Sequence, residues 1–149
     1  MQVKNKFSMK LMSCSANEGF ARACVSAFAS QLDPTIEEIS DIKTAVSEAV
    51  TNCIVHAYRD TIGIIYITAE LLDTNAIRVK IKDKGCGIEN IEKAMEPLYT
   101  SLGGERAGLG FAVMQSFMDN VKVTSQSGKG TTVTMVKNIG CRFRINVRS

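Results

Sequence analysis

The longest periodic segment of the sequence, residues 34–56, is the feature that most constrains the fold. Its apolar side chains recur at steps of three and four residues, and they are Ile36, Ile39, Ile42, Val46, Val50 and Cys53. That spacing predicts an amphipathic α-helix whose apolar side must pack against a second layer. Asp33 is a candidate N-cap for this helix, and Pro34 suits its first helical position.

Five other segments have the alternating or β-branched pattern of strands, at residues 3–12, 63–72, 77–83, 121–125 and 131–136. The turn residues 73–75 join the second and third of these segments as a hairpin, and the glycine-rich residues 126–130 join the last two. We expect residues 3–12 to form an edge strand.

Three further helices are predicted. Residues 17–32 carry an apolar stripe made of Phe20, Ala23, Cys24, Ala27 and Phe28. A short helix is expected over residues 90–95, ending before Pro97, and a helix over residues 109–118 follows a loop over residues 97–107. This order indicates an α+β fold, a two-layer α/β sandwich with helices on one face of a mainly antiparallel sheet.

Length and composition predict a single domain over residues 1–149, with a solvated basic tail from about residue 141. Hydrophobic residues make up 45% of the chain and charged residues 22%, a balance that argues against disorder. The formal net charge of +3 is too small to indicate nucleic acid as a partner, so we expect no direct nucleic-acid contact.

The cysteines and the N-terminal residues indicate where in the cell the protein is expected to reside. Five cysteines are an odd number, and they include no Cys-x-x-Cys pair, which favours reduced thiols over a disulfide framework or a zinc site. No apolar run approaches the roughly 18 residues of a membrane span, and residues 1–12 have no apolar signal core. We expect a soluble, cytoplasmic protein with no membrane association.

Glu48, Asn52 and His56 follow one another at intervals of four residues, so they line one side of the predicted long helix. They could simply be polar residues on a solvated helix face. Alternatively, the side-chain oxygen of Asn52 could bind a hard cation such as Mg²⁺. Glu48, one turn earlier, could then orient or deprotonate an attacking hydroxyl. The spacing alone leaves both interpretations open.

The segment Asp83-Lys84-Gly85-Cys86-Gly87 ends a predicted strand. An aspartate followed by two glycines could be a plain turn. A carboxylate at a strand end could instead accept a hydrogen bond from an adenine amino group, while the glycines let the backbone approach the base.

Gly108-Leu109-Gly110 lies where the predicted loop becomes a helix, and the unpaired N–H groups of a helix start form an anion site. Thr100, Ser101 and Arg106 add hydroxyls and a cation to the same loop. A surface loop would explain the glycines, and a phosphate cradle would explain the whole set. Neither common phosphate fingerprint fits, because Gly-x-x-x-x-Gly-Lys-Ser/Thr is absent and Gly85-x-Gly87 lacks a third glycine.

Four motifs occur in order: Glu48-x-x-x-Asn52-x-x-x-His56, Asp83-x-Gly85-x-Gly87, Gly108-x-Gly110 and Gly128-x-Gly130-Thr131. Together they resemble the N, G1, G2 and G3 boxes of the gyrase, Hsp90, histidine-kinase and MutL superfamily of ATPases, which has the Bergerat ATP-binding fold. Within that superfamily the chain resembles the anti-sigma-factor serine kinases, most of all their sporulation, anti-sigma F branch. The stretches that carry this likeness are residues 17–22, 31–35, 46–52, 97–100 and 117–119.

The resemblance implies roles for individual residues. Glu48 would be the general base toward a substrate serine, with Arg106 near the terminal phosphate. Asn52 would bind Mg²⁺ as well as the nucleotide, and Asp83 would bind the adenine amino group. Further nucleotide contacts are implied for His56, Gly85, Gly87, Thr100, Ser101, Gly108, Leu109, Gly110 and Thr131.

The resemblance also implies ATP and Mg²⁺ as cofactors, a homodimer and two protein partners. The dimer would bind and inhibit a sigma factor of the sigma F type, and an anti-anti-sigma factor would be phosphorylated on serine. Glu18 and Arg22 match residues with which the family grips its partners. Two alternatives stay open: a nucleotide-gated module that sequesters sigma without significant kinase activity, and the stress-response anti-sigma homologue. A histidine-kinase domain is disfavoured because the only histidine, His56, lies inside the nucleotide helix.

Overall fold

The computed structural model describes residues 2–88 and 105–140, with the backbone alone for residues 105–109. Its elements in chain order are β1 (Val3–Met12), α1 (Ala16–Ala29), α2 (Ile36–Asn52), β2 (Ile64–Leu72), β3 (Ala76–Asp83), α3 (Glu105–Phe117), β4 (Asn120–Gln126) and β5 (Gly130–Asn138). A 3₁₀ turn, Ser30–Leu32, follows α1, and a π-helical turn, Cys53–Ala57, follows α2.

The five strands form one sheet in the order β1-β2-β3-β5-β4, and every neighbouring pair is antiparallel. The helices cover one face of this sheet, and β1 lies at its edge as expected. The core contains fully buried strand residues, among them Ile65, Ile67, Val79, Ile81 and Met135. It also contains helix residues, among them Val25, Ile42, Val46, Val50 and Met114. The predicted α+β fold, with helices on one face of an antiparallel sheet, is confirmed.

The start of α2 differs from the sequence prediction. Thr35 is the N-cap: its hydroxyl accepts the N–H of Glu38 at 3.1 Å, and the Glu38 carboxylate accepts the N–H of Thr35 at 2.8 Å. This capping box satisfies two N–H groups at once. Asp33 instead takes a left-handed conformation at φ 60°, so the predicted Asp33 cap and Pro34 first position are wrong. Ile36 is 91% exposed, because it lies in the first turn beyond the core.

The buried side of α1 is also not the predicted one. The side chains that face the core are Ala21, Val25, Ser26 and Ala29. Phe20 is 52% exposed, and Ala23 and Ala27 are exposed as well. Small side chains on the buried side let α1 lie close to its neighbours, and because alanine occurs on both sides, spacing alone could not choose between them.

Phe28, from the predicted stripe, is half-buried. Its ring meets that of Phe7 edge to face, with the ring centres 4.7 Å apart.

The last helix begins earlier than predicted, at Glu105 rather than at residue 109. The predicted short helix over residues 90–95 lies outside the described residues, as does most of the predicted loop. The hairpin at residues 73–75 is confirmed, with Asn75 at φ 63° and its N–H bonded to the Leu72 carbonyl at 3.1 Å. None of the described helices is long and apolar enough to cross a bilayer.

Thr35→Ala should lower the free energy of unfolding by about 1 kcal/mol, because the Glu38 N–H loses its side-chain acceptor. Urea unfolding followed by circular dichroism measures this change. Thr44→Ala is the matched control on the same helix, since the Thr44 hydroxyl only donates to the Ser40 carbonyl in mid-helix. Equal losses in the two variants would contradict the capping role.

Candidate functional site

Glu48, Asn52 and Gly110 converge where α2 meets α3. A Cβ atom on Gly110 would lie 3.2 Å from Glu48 Oε2 and 3.2 Å from Asn52 Nδ2, closer than ordinary van der Waals contact, so a glycine here lets α3 pack directly against both side chains. Both amide atoms of Asn52 are buried and have no hydrogen-bond partner among the residues that the structure describes. Buried polar groups in native proteins are nearly always bonded, so this amide is suited to an exogenous ligand.

Asp83 is buried at the end of β3 and holds three neighbouring segments together. Its Oδ1 accepts the N–H of Gly85 at 3.0 Å and the N–H of Thr131 at 3.2 Å. Its Oδ2 accepts the thiol of Cys53 at 3.5 Å. Burial raises the pKa of the Asp83 carboxyl above its ordinary value, while the Gly85, Cys53 and Thr131 donors oppose that rise.

Cys53 is a site residue that sequence reasoning missed, because its spacing assigned it to the apolar stripe of α2. The side chain is buried as the stripe predicted, but its thiol points at Asp83. Burial raises the pKa of Cys53 well above its ordinary value, and the Asp83 carboxylate raises it further. The sulfur therefore stays protonated and acts as a donor.

The glycines of the loop after β3 are required by the protein's own backbone. A Cβ on Gly85 would collide with the backbone of Ala57, at the end of the π-helical turn. Gly87 has φ +75°, and a Cβ there would collide with the carbonyl of Gln126. The two glycines therefore let the loop pack against the end of α2 and the β4–β5 turn, which places it next to Asp83.

Ser125 is a second residue that sequence reasoning missed, and no motif marks it. Its hydroxyl donates to the Gly130 carbonyl at 2.9 Å and lies 2.8 Å from the Thr131 hydroxyl. It also accepts the N–H of Ile88 at 2.8 Å. Ser125 thus links the loop after β3 to Thr131, whose N–H binds Asp83.

His56 does not continue the regular helix of Glu48 and Asn52. It lies in the π-helical turn, where the N–H of Tyr58 bonds to the carbonyl of Cys53 at 3.0 Å. The wider turn shifts His56 from the line that a regular α-helix would give. Its carbonyl accepts the thiol of Cys86 at 3.3 Å. Single π turns are frequent at functional sites.

The predicted phosphate loop is only partly within the described residues. Thr100 and Ser101 lie outside them. Arg106, Gly108 and Leu109 are part of α3, but their side chains are not described. The prediction that Gly108-Leu109-Gly110 stands at the start of a helix is wrong, because the helical hydrogen-bonding pattern already includes Glu105.

Glu18 and Arg22 lie one turn apart on α1, with an ion-pair distance of 3.4 Å. Ser47 of α2 joins them: its hydroxyl donates to Glu18 Oε2 at 2.8 Å and accepts from Arg22 Nη1 at 3.3 Å. An open polar cleft between the two helices is lined by Arg22, Ser40, Lys43, Thr44, Ser47 and Glu48. The predicted partner-binding residue Arg22 and the predicted base Glu48 therefore open onto one cleft.

Comparison with known proteins extends these observations. The family model of the histidine kinase-like ATPase domain matches residues 15–137. The chain is 61% identical over 141 residues to the anti-sigma F factor of Caldanaerobacter subterraneus subsp. tengcongensis, covering 94% of this chain and 98% of that protein. It is 54% identical over 136 residues to the anti-sigma F factor of Clostridium acetobutylicum, covering 91% and 94%.

Solved structures share the fold at low sequence identity. The RsbU and RsbW domains of a Mycobacterium tuberculosis protein match with a TM-score of 0.67 at 19% identity, over 91% of this chain and 33% of that one. A histidine kinase domain from Erythrobacter litoralis matches with a TM-score of 0.58 at 19% identity, over 86% and 68%.

The chain belongs to the histidine kinase-like ATPase domain family, an assignment that implies nucleotide binding. Within that family it is similar to the anti-sigma F factors.

Asp83→Asn tests the energetic cost of the buried carboxylate. Because the pKa of the Asp83 carboxyl is raised in the folded protein, the unfolded chain releases this proton at a lower pH than the folded protein does. The free energy of unfolding of the wild type therefore falls as the pH rises from the unfolded-state pKa to the folded-state pKa. The variant has no such loss. We expect its free energy of unfolding, relative to wild type, to increase as the pH rises above about 4, the ordinary pKa of an aspartate, in urea titrations.

Asp60→Asn, at an exposed residue, is the matched control for this titration. A difference between Asp83→Asn and wild type that does not change with pH would contradict the assigned cost of burial.

Proposed function

We propose that this chain is an anti-sigma factor that also acts as an ATP-dependent protein serine kinase. It binds and inhibits a sporulation sigma factor of the sigma F type, and it transfers the γ-phosphate of ATP to a serine of its anti-anti-sigma antagonist. The observation that carries the proposal is the convergence of Glu48, Asn52 and Gly110 beside a cleft that also contains Arg22. The names of its sequence relatives support the anti-sigma part.

Asp83 is the proposed adenine-binding residue. Its Oδ1 is engaged by two backbone N–H groups, whereas its Oδ2 receives only the weak S–H donor of Cys53 among its described contacts. An ionised carboxylate can accept several hydrogen bonds, so Oδ2 keeps capacity for the exocyclic amino group of adenine. Thr131 and the Gly85–Gly87 loop border the same carboxylate, which supports their proposed place in the adenine pocket.

Asn52 is the proposed Mg²⁺ ligand, and its buried, unbonded amide fits that role. Within residues 2–88 and 105–140, no three His, Cys, Asp or Glu side chains cluster as a metal site. An ion at Asn52 would therefore be completed by nucleotide phosphates and water, an arrangement that Mg²⁺ commonly adopts. When bound, the magnesium nucleotide supplies the phosphoryl group and neutralises the charge that develops during its transfer.

Glu48 is the proposed general base. It lies one helical turn from Asn52, its Oε2 packs beside Gly110 of α3, and it also lines the open cleft. The substrate serine would give its hydroxyl proton to Glu48 while its oxygen bonds to the γ-phosphorus, and the bond from that phosphorus to the bridging oxygen of ADP would break. The roles of Thr100, Ser101, Arg106, Gly108 and Leu109 as phosphate contacts rest on the family resemblance.

The cleft between α1 and α2 is the proposed entry for the substrate serine. It has Arg22 and Lys43 as cations and hydroxyls from Ser40, Thr44 and Ser47. Polar and cationic walls suit an extended, polar segment of a protein better than an apolar ligand. We propose that the homodimer uses Glu18 and Arg22, at the rim of this cleft, to hold sigma factor and antagonist.

Glu48→Gln should keep ATP binding and lower phosphotransfer about 10²–10⁴-fold, because the amide cannot accept the serine proton. The measurement is transfer of radiolabelled phosphate from ATP to a purified anti-anti-sigma protein. Glu37→Gln, an exposed position in the first turn of the same helix, is the matched control.

A Glu48→Gln variant that transfers phosphate at a near wild-type rate would remove Glu48 from the mechanism. Tight ATP binding without any transfer by the wild type would favour the nucleotide-gated sequestration module instead.

Arg22→Ala should weaken sigma factor binding about tenfold or more, because arginine side chains often dominate protein interfaces. Calorimetric titration with a sigma F protein measures the affinity, and ATP affinity should stay unchanged. Arg59→Ala, an exposed arginine away from the cleft, is the control. Equal sigma affinity in wild type and Arg22→Ala would count against this partner surface.

A further inference from the structure

The face of the sheet that points away from the helices is rich in lysine. Strand register aligns one row across all five strands, made of Lys10, Tyr66, Lys82, Thr132 and Thr124. The adjacent row is made of Ser8, Thr68, Lys80, Thr134 and Lys122. We refer to these two rows as the open face.

The open face carries positive charge without compensation from its own residues. Its four lysines are all exposed, and neither row contains a carboxylate. Glu70, in the next row of the same face, is paired with Arg78 at 2.7 Å. The chain as a whole has a formal net charge of only +3, so the fold concentrates positive charge on this surface.

Tyr66 lies within this positive surface. The Nζ atom of Lys84, which follows β3, is 5.0 Å from the centre of the Tyr66 ring, and that of Lys10 is 5.9 Å away. Tyr66 itself is only half-buried.

Contrary to the expectation from the small net charge, we propose that the open face binds single-stranded nucleic acid through its phosphates, with one base stacked on Tyr66. Lysine, serine, threonine and tyrosine side chains are common phosphate contacts. Strands about 4.8 Å apart, with same-face residues about 6.6 Å apart along each strand, give a regular array of such donors. An aromatic ring on a basic sheet offers a stacking platform that any base can use.

Other occupants fit this surface less well. Cores of protein interfaces are depleted in lysine and enriched in several kinds of aromatic residue, whereas the open face has four lysines and one tyrosine. Two copies of the face would repel each other. A five-stranded antiparallel sheet twists by about 20–25° per strand, so it does not lie flat on a bilayer. The exposed pair Met12 and Ile64 adjoins the face at one end, so vesicles form a separate arm of the test.

The test is fluorescence anisotropy of a labelled oligothymidylate of about 15 nucleotides, titrated with the full chain at several salt concentrations. Four lysine–phosphate contacts predict a slope of log K against log salt of about −3, and Lys80→Gln/Lys82→Gln should make it about 1.4 less steep. Tyr66→Ala should weaken binding about tenfold, and Tyr66→Phe should retain it. Arg59→Gln removes a positive charge at an exposed residue outside the open face and should leave the slope unchanged.

Several results would overturn the proposal. The first is the absence of oligonucleotide binding at low salt. The second is an equal loss of oligonucleotide affinity in the control variant. The third is retention of the protein on anionic phospholipid vesicles without binding of the oligonucleotide. Displacement by saturating magnesium ATP would assign the binding to the nucleotide site. Equal affinity for a duplex of the same length would also contradict it, because paired bases cannot stack on Tyr66. If Tyr66→Ala does not fold, the lysine variant and the salt slope still test whether the open face binds the oligonucleotide.

Discussion

The buried carboxylate of Asp83 is the contact on which the candidate site depends. It ends β3, binds the backbone of the loop that follows, binds the backbone of Thr131 on β5, and receives the thiol of Cys53 from the end of α2. Three separate parts of the chain therefore meet at one side chain. A buried acid is costly unless it is hydrogen-bonded, and here backbone donors at Oδ1 offset part of that cost, while Oδ2 has the thiol of Cys53 as its described donor.

The two sides of helix α2 have different roles. Ile42, Val46 and Val50 anchor it on the sheet, and the capping box at Thr35 defines where it starts. Glu48 and Asn52 lie toward α3, where Gly110 packs against both, and Glu48 also lines the cleft beside α1. A helix packed on a core holds its side chains more firmly than a loop would. The π-helical turn then ends the helix at the point where the chain must approach Gly85.

Much of this arrangement was predictable because it depends on local pattern. The 3.6-residue period predicted α2, alternation predicted all five strands, and the turn residues at 73–75 predicted the hairpin. The spacing of Glu48 and Asn52 put them on one side of a helix, and the position of Asp83 at a strand end was equally local. The side of α1 that is buried was not predictable, since alanines occur on both sides and Phe20 competes with Val25 for the core. The thiol of Cys53 and the hydroxyl of Ser125 were missed because nothing in their immediate sequence marks the groups they contact.

Local sequence is enough to indicate the helices and strands, their order and the motif residues, because each depends on residues a few positions apart. Which distant groups meet follows only from the folded arrangement. Cys53 reaches Asp83, Gly110 reaches Asn52, and Arg22 shares a cleft with Glu48 through packing between separate elements. The distribution of charge also depends on the folded structure, because the net charge of the chain does not say how much positive charge lies on any one surface. Strand pairing is non-local, and it is the register between strands that aligns Lys10, Lys82 and Lys122 on a single face.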